Sequence, residues 1–188
     1  DELGVLAKLH LSLKGNGWLA DKLEQARQIS SPDLPSVGLY LALLVYPLTT
    51  EESEQLISYL RLPKSVAEAV RDTISIKTKL ESLANPELSP SGIYSLLHGY
   101  SSPALVASSL ATDSPVACRH IDLFLSKLRY IKPVLSGEDL KRLRVASGPQ
   151  IKEILNKLHE AKLDGKVSSK KDEEELVKGW LDKWVKPI

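Results

Sequence analysis

The residues from Ser147 to Lys152 run Ser-Gly-Pro-Gln-Ile-Lys, an order that could hold an anion. Glycine lets the chain turn, and proline suits the first turn of a helix, where its missing N–H has no helical partner in any case. A helix starting there opens with backbone N–H groups at Gln150, Ile151 and Lys152. Together with the helix dipole they make a phosphate site beside Gly148. Cations flank it in sequence: Lys141, Arg142 and Arg144 just upstream, and Lys127, Arg129 and Lys132 further back. Arginine's fork of donors suits phosphate oxygens, and lysine adds a point charge. The chemistry on offer is neutralisation of a polyanion's phosphates. Taken alone, the Gly148-Pro149 turn reads equally well as a plain connection between two packed helices.

Other constellations are missing. The histidines His10, His98, His120 and His159 are scattered, and none stands at metal-ligand spacing from another. His120 and Cys118 are two apart on one predicted helix and so face different ways. The sequence holds no phosphate-binding-loop, dinucleotide-binding or nucleophile-elbow pattern. All four histidines therefore read as surface or satisfied core residues, and no catalytic residue is assigned. The acidic run Asp172-Glu173-Glu174-Glu175 reads as first-turn enrichment that complements a helix dipole, not as a cation site. Trp180 and Trp184, four apart, share a helix face; they could stack on bases, but the preferred reading is that they anchor the last helix to the body.

The elements that must position the anion-binding set are helical. Leu, Ala, Lys and Glu are abundant, and only 5% of the 188 residues are aromatic, a balance that favours helix. Thr49 with Glu52 forms a capping box, and Ser136 with Asp139 a near relative of one. Ser89-Pro90, Ser102-Pro103 and Ser114-Pro115 each read as an N-cap followed by a first-turn proline. Helices are predicted near 3–13, 18–29, 36–46, 50–61, 64–82, 90–98, 103–111, 115–130, 137–144, 149–163 and 169–184. The expected fold is all-α: a bundle of about ten mostly short helices in two packed halves, with no sheet. A hinge from Asn85 to Pro90 would divide it into 1–85 and 86–188.

The net charge of +1 conceals an asymmetry. Residues 1–118 carry 9 Lys and Arg against 13 Asp and Glu, whereas residues 119–171 carry 13 against 6. A basic second part suggests an anionic partner, although long helices also carry solvated lysines. The apolar run Val37–Val45 is far too short to span a bilayer. With Cys118 the single cysteine and no basic leader at the start, a reducing cytoplasm is the expected location. The chain contains no methionine, so it is expected to be a piece of a longer protein.

The wording Ser136-Gly137-Glu138-Asp139-Leu140, Gly148-Pro149 and Leu163-Asp164-Gly165 resembles the tail of bacterial-type (class II) tRNA nucleotidyltransferases and their poly(A) polymerase relatives. Gly4 to His10 looks like the end of that family's neck. The stretch from Leu39 to Val70, with Leu48-Thr49-Thr50-Glu51-Glu52 and Leu60-Arg61-Leu62-Pro63-Lys64, is similar to its helical body. The resemblance implies a part that grips the tRNA acceptor and T-arm backbone by shape and phosphate contact. It also implies an N-terminal head, missing here, that would bring Mg²⁺ and nucleoside triphosphates; no D-x-D carboxylate pair occurs in this sequence. The expected partners are thus tRNA and that head, with no membrane or DNA. Glu138-Asp139-Leu140-Lys141-Arg142 matches the family's E-D-x-x-R base-selecting motif, but it lies inside the tail, so the match is set aside as coincidence. The family tail commonly has glycine where Arg144 stands and often proline at Ser147, which puts the geometry of that turn in question. The alternative reading is a helical protein-interaction or oligomerisation module with no RNA role.

Overall fold

The computed structural model describes residues 5–9, 12, 13, 15–145 and 148–185. Among them are twelve α-helices and one 3-10 turn, with no strand. In chain order the helices are α1 (Val5–Leu9), α2 (Gly17–Ser30), α3 (Val37–Val45), α4 (Thr50–Leu60), α5 (Lys64–Lys77), α6 (Leu80–Leu83), α7 (Pro90–Leu97), α8 (Ser102–Ala111), α9 (Pro115–Ser126), α10 (Gly137–Arg142), α11 (Pro149–Leu163) and α12 (Lys170–Val185). The 3-10 turn, Leu128–Tyr130, falls between α9 and α10. The chain is all-α, as its composition and caps predict.

Two long predicted helices end early. The stretch predicted over 64–82 breaks after Lys77 in a turn where the Lys79 N–H closes onto Ile76 O, the Thr78 hydroxyl bonding there to the Ser75 carbonyl at 2.8 Å. The one predicted over 115–130 stops at Ser126, whose hydroxyl bonds to Asp122 O at 2.6 Å; Lys127 then leaves helical angles. The cap of α8 is Ser101 rather than Ser102, which places Pro103 second in the helix, where its missing N–H is still harmless.

The chain forms two compact units, Asp1–Leu88 with Ser95–Ser126, and Ser89–Tyr94 with Lys127–Ile188. In the first, α3 is apolar all round and lies among α2, α5 and α8. Gly38 stands at a close crossing: a Cβ there would stand 3.5 Å from both Ala69 and Pro103, room for a methyl group and little more. Leu43, Val45, Leu48, Leu56 and Val70 are essentially inaccessible, so apolar burial dominates this unit.

The second unit has a smaller core of Leu135, Leu140, Val145, Ile154, Leu158 and Val177, with Trp180 packed against it. It adds a polar clasp. Glu173, on the inward stripe of α12, is fully buried. Its carboxylate accepts the Val134 N–H at 2.9 Å, the Leu135 N–H at 2.8 Å and Lys162 Nζ at 2.8 Å. Burial alone would push its pKa up; Lys162 and the two N–H groups outweigh that and hold it low. At the end of α11, Asp164 reaches the Ser91 N–H at 2.9 Å. The Leu163-Asp164-Gly165 wording is therefore a helix end whose aspartate holds the start of α7.

Candidate nucleic-acid interface

Every predicted anion-binding residue lies in the second unit. Lys127 and Lys132 bracket the 3-10 turn that holds Arg129, and Lys141 and Arg142 end α10. Arg144 follows in the connection, and Gly148, Gln150, Ile151 and Lys152 open α11. The starts of α10 and α11 meet: a Cβ on Gly137 would touch Ile151 at 3.5 Å.

The caps fall where the sequence put them. Ser136 Oγ accepts the Asp139 N–H at 3.3 Å, and Asp139 accepts the Ser136 N–H at 2.9 Å, a complete capping box. The Ser136 hydroxyl and N–H, with Lys170 Nζ at 3.0 Å, hold the Asp139 carboxyl far below the ordinary carboxylate range. Glu138 is tied to Lys141 at 2.6 Å, and its pKa is lowered by that contact. Both carboxylates of the Glu-Asp-Leu-Lys-Arg string are thus engaged within the fold, which gives the string a structural role here.

The helix-closing turns are more informative. After α10 the Arg144 N–H bonds to Lys141 O at 2.9 Å and the Val145 N–H to Leu140 O at 3.1 Å, with Val145 packed near Leu140. This is a Schellman closure, and its left-handed position is filled by Arg144 at φ 66° instead of the usual glycine. The same closure ends α4, where Arg61 has φ 49° and the Leu62 N–H meets Ile57 O at 3.1 Å. Gly165, at φ 72°, closes α11 in the unstrained way. Arg144 therefore bears the strain that its sequence position foreshadows.

The opening of α11 offers less than expected. Gly148 has φ 100°, and the Ile151 N–H is already used, bonding to Gly148 O at 3.2 Å. That removes one of the three predicted donors. Lys141 and Arg142 are partly neutralised by Glu138 and Asp139 within α10. Among the described residues, Lys127, Lys132, Arg144 and Lys152 enter no ion pair, and all four are exposed. Arg129 stands over the Tyr130 ring, 4.8 Å from its centroid.

The histidine readings can be placed in part. His120 Nδ1 lies 2.8 Å from Leu83 O, and His159 Nε2 lies 2.9 Å from Ile131 O with its ring edge-on to Tyr94. His10 and the Trp184 side chain lie outside the described residues. Among those described, no three His, Cys, Asp or Glu side chains gather as a metal would require, so these residues do not fit a two-metal centre. No described helix is long and apolar enough to cross a membrane. The sequence reading gave Glu173 no partner beyond its own helix.

The fold itself has known counterparts. The Thermotoga maritima CCA-adding enzyme complexed with tRNA superposes on 96% of this chain with a TM-score of 0.70 at 19% identity. A CCA-adding enzyme in complex with CTP covers 98% of the chain at 0.68 and 20% identity. This is a fold shared with CCA-adding enzymes. In sequence, 83 residues are 36% identical to the A-adding tRNA nucleotidyltransferase of Geobacter sulfurreducens, 44% of this chain. These are proteins of the group that the tail wording resembles. The chain corresponds to only 45% of each of those two solved chains, and the aligned part to 9% of the Geobacter protein. No protein-family model matches it.

Proposed function

We propose that this chain is the tRNA-gripping region, end of neck, body and tail, of a tRNA nucleotidyltransferase-like enzyme. The observation that carries the reading is the likeness, over 96% of the chain, to an enzyme described as complexed with tRNA. The second unit supplies the means. Lys127, Lys132, Arg144 and Lys152 are exposed and await counter-charges, and Lys141 and Arg142 can exchange an intrahelical carboxylate for a phosphate. Gly148 lets a backbone approach closely, and the Gln150 N–H adds a neutral donor at the start of α11. Recognition is by A-form shape and phosphate position, without base-edge readout along the duplex arms. Nucleotide addition, whether of CCA, part of it or poly(A), belongs to a head outside these residues, with its Mg²⁺ and nucleoside triphosphate. The setting is cytoplasmic.

The test is fluorescence anisotropy of the chain with tRNA, duplex DNA and single-stranded RNA across salt. The expected result is tightest binding to tRNA, falling steeply with salt. Changing Lys132, Arg144 or Lys152 to Ala should each flatten the slope of log K against log salt by up to about one unit. Unchanged affinity in all three variants removes the assignment. A protein-docking role has one observation in its favour, the apolar groove of about 340 Å³ in the first unit between Leu6, Leu19, Leu23, Leu41 and Leu44. Equal or negligible binding to all three nucleic acids would put that role first.

A further inference from the structure

Two tyrosines are mostly exposed, and their surroundings differ. Tyr59 is 70% exposed on α4 beside Glu54 and Gln55. Tyr130 is 64% exposed at the end of the 3-10 turn, with Arg129 over its ring and exposed Lys127 and Lys132 within three residues. An exposed aromatic ring gains nothing from water. Placed among cations, it matches what single-stranded nucleic acid asks for, a π-face for a base and positive charge for the phosphates on either side.

The backbone carrying this ring is pinned on both sides. The Tyr130 N–H bonds to Lys127 O and the Ile131 N–H to Leu128 O, each at 3.1 Å. Ile131 O meets His159 Nε2 at 2.9 Å, and Val134 and Leu135 are clamped by the buried Glu173. A ring on a fixed backbone loses little entropy when a base settles on it.

We propose that Tyr130 is a stacking platform for an unpaired nucleobase of the bound RNA, with Arg129 backing the ring and Lys127 and Lys132 holding the adjoining phosphates. The proposal rests on the RNA-gripping reading and adds to it a contact that only an unstacked base can make.

The experiment measures binding of the full chain to two labelled RNAs of equal charge, a hairpin with an unpaired loop and a blunt duplex. Tyr130→Leu and Tyr130→Phe are compared with the parent at several salt concentrations, and circular dichroism verifies that both are folded. Tyr130→Leu should weaken hairpin binding by at least about fivefold, with the salt slope unchanged and duplex binding unmoved, and Tyr130→Phe should behave as the parent. Hairpin binding unchanged in Tyr130→Leu, an equal loss on both RNAs, or a loss in Tyr130→Phe as large as in Tyr130→Leu overturns the proposal while the RNA-gripping reading stands. If the parent chain binds neither RNA, that reading falls and the proposal with it.

Discussion

The two units solve the same problem with different means. The first buries most of an apolar helix, and its large inaccessible side chains are leucines and isoleucines from seven helices and two connections. The second has roughly half as many core residues and places a charged group at the centre. A small core gains too little from apolar burial to define the path of a loop. In the second unit Glu173 defines it, because a carboxylate with two backbone N–H groups and a lysine admits few alternatives. The contrast teaches that directional bonds take over where apolar area is short.

The sharpest way to break the contrast is a pair of substitutions. Glu173→Ala leaves Lys162 and two N–H groups without their acceptor and should destabilise the second unit by about 3–5 kcal/mol. Leu43→Ala should destabilise the first by about 2–5 kcal/mol through a cavity. Hydrogen exchange read helix by helix should place the first loss in α10–α12 and the second in α3, α5 and α8. Loss spread equally over both units in either variant would dissolve the distinction.

Acid should separate them next. Glu173, Asp139 and Asp172 all have folded pKa values below their ordinary ones. Asp172 is held there by the Ser169 and Ser168 N–H groups. A lowered folded pKa means that the unfolded chain binds protons first. The stabilisation is therefore fully present above the ordinary carboxylate range, near about pH 4, and is lost as pH falls below it. On titration from neutral pH, exchange protection of α10–α12 should fail before that of α3.

The smallest effect is the most discriminating. Arg61 and Arg144 occupy the same strained position in two like closures, one in each unit. Changing either to Gly relieves the left-handed penalty but frees the unfolded chain, for a net gain of roughly 0.5–1 kcal/mol in thermal melts. Only Arg144→Gly should weaken tRNA binding. If Arg61→Gly weakens it equally, the basic unit has no special claim on the RNA.

Much of the fold was legible because its signals are local. Thr49 with Glu52, Ser136 with Asp139, and Gly148-Pro149 each announce a helix start within four residues, and each stands there. Glu173 does stand in the first turn of α12, as its dipole reading has it, but its clasp was illegible because its partners are 38 and 39 residues away. A signal did exist: Glu173 opens the stripe Leu176, Val177, Trp180 and Leu181, so it stands where an apolar side chain belongs. The break after Lys77 left no such mark, since Thr78 and Lys79, where the turn falls, include neither glycine nor proline. Of the candidate site, the cations were legible as charge. Which of them are already spent on neighbouring carboxylates depends on side-chain geometry that spacing alone does not fix.

Glu173 and Lys162 also bear on how this part of the chain can change over generations. Replacing either one strands the other's charge inside the protein, whereas replacing both with apolar residues of similar bulk leaves nothing stranded. The route between those two viable sequences passes through single changes that are worse than either end, and such non-additivity is expected of groups in contact. The pair thus drifts as one character, and a sequence that has lost one member will have lost or rebuilt the other.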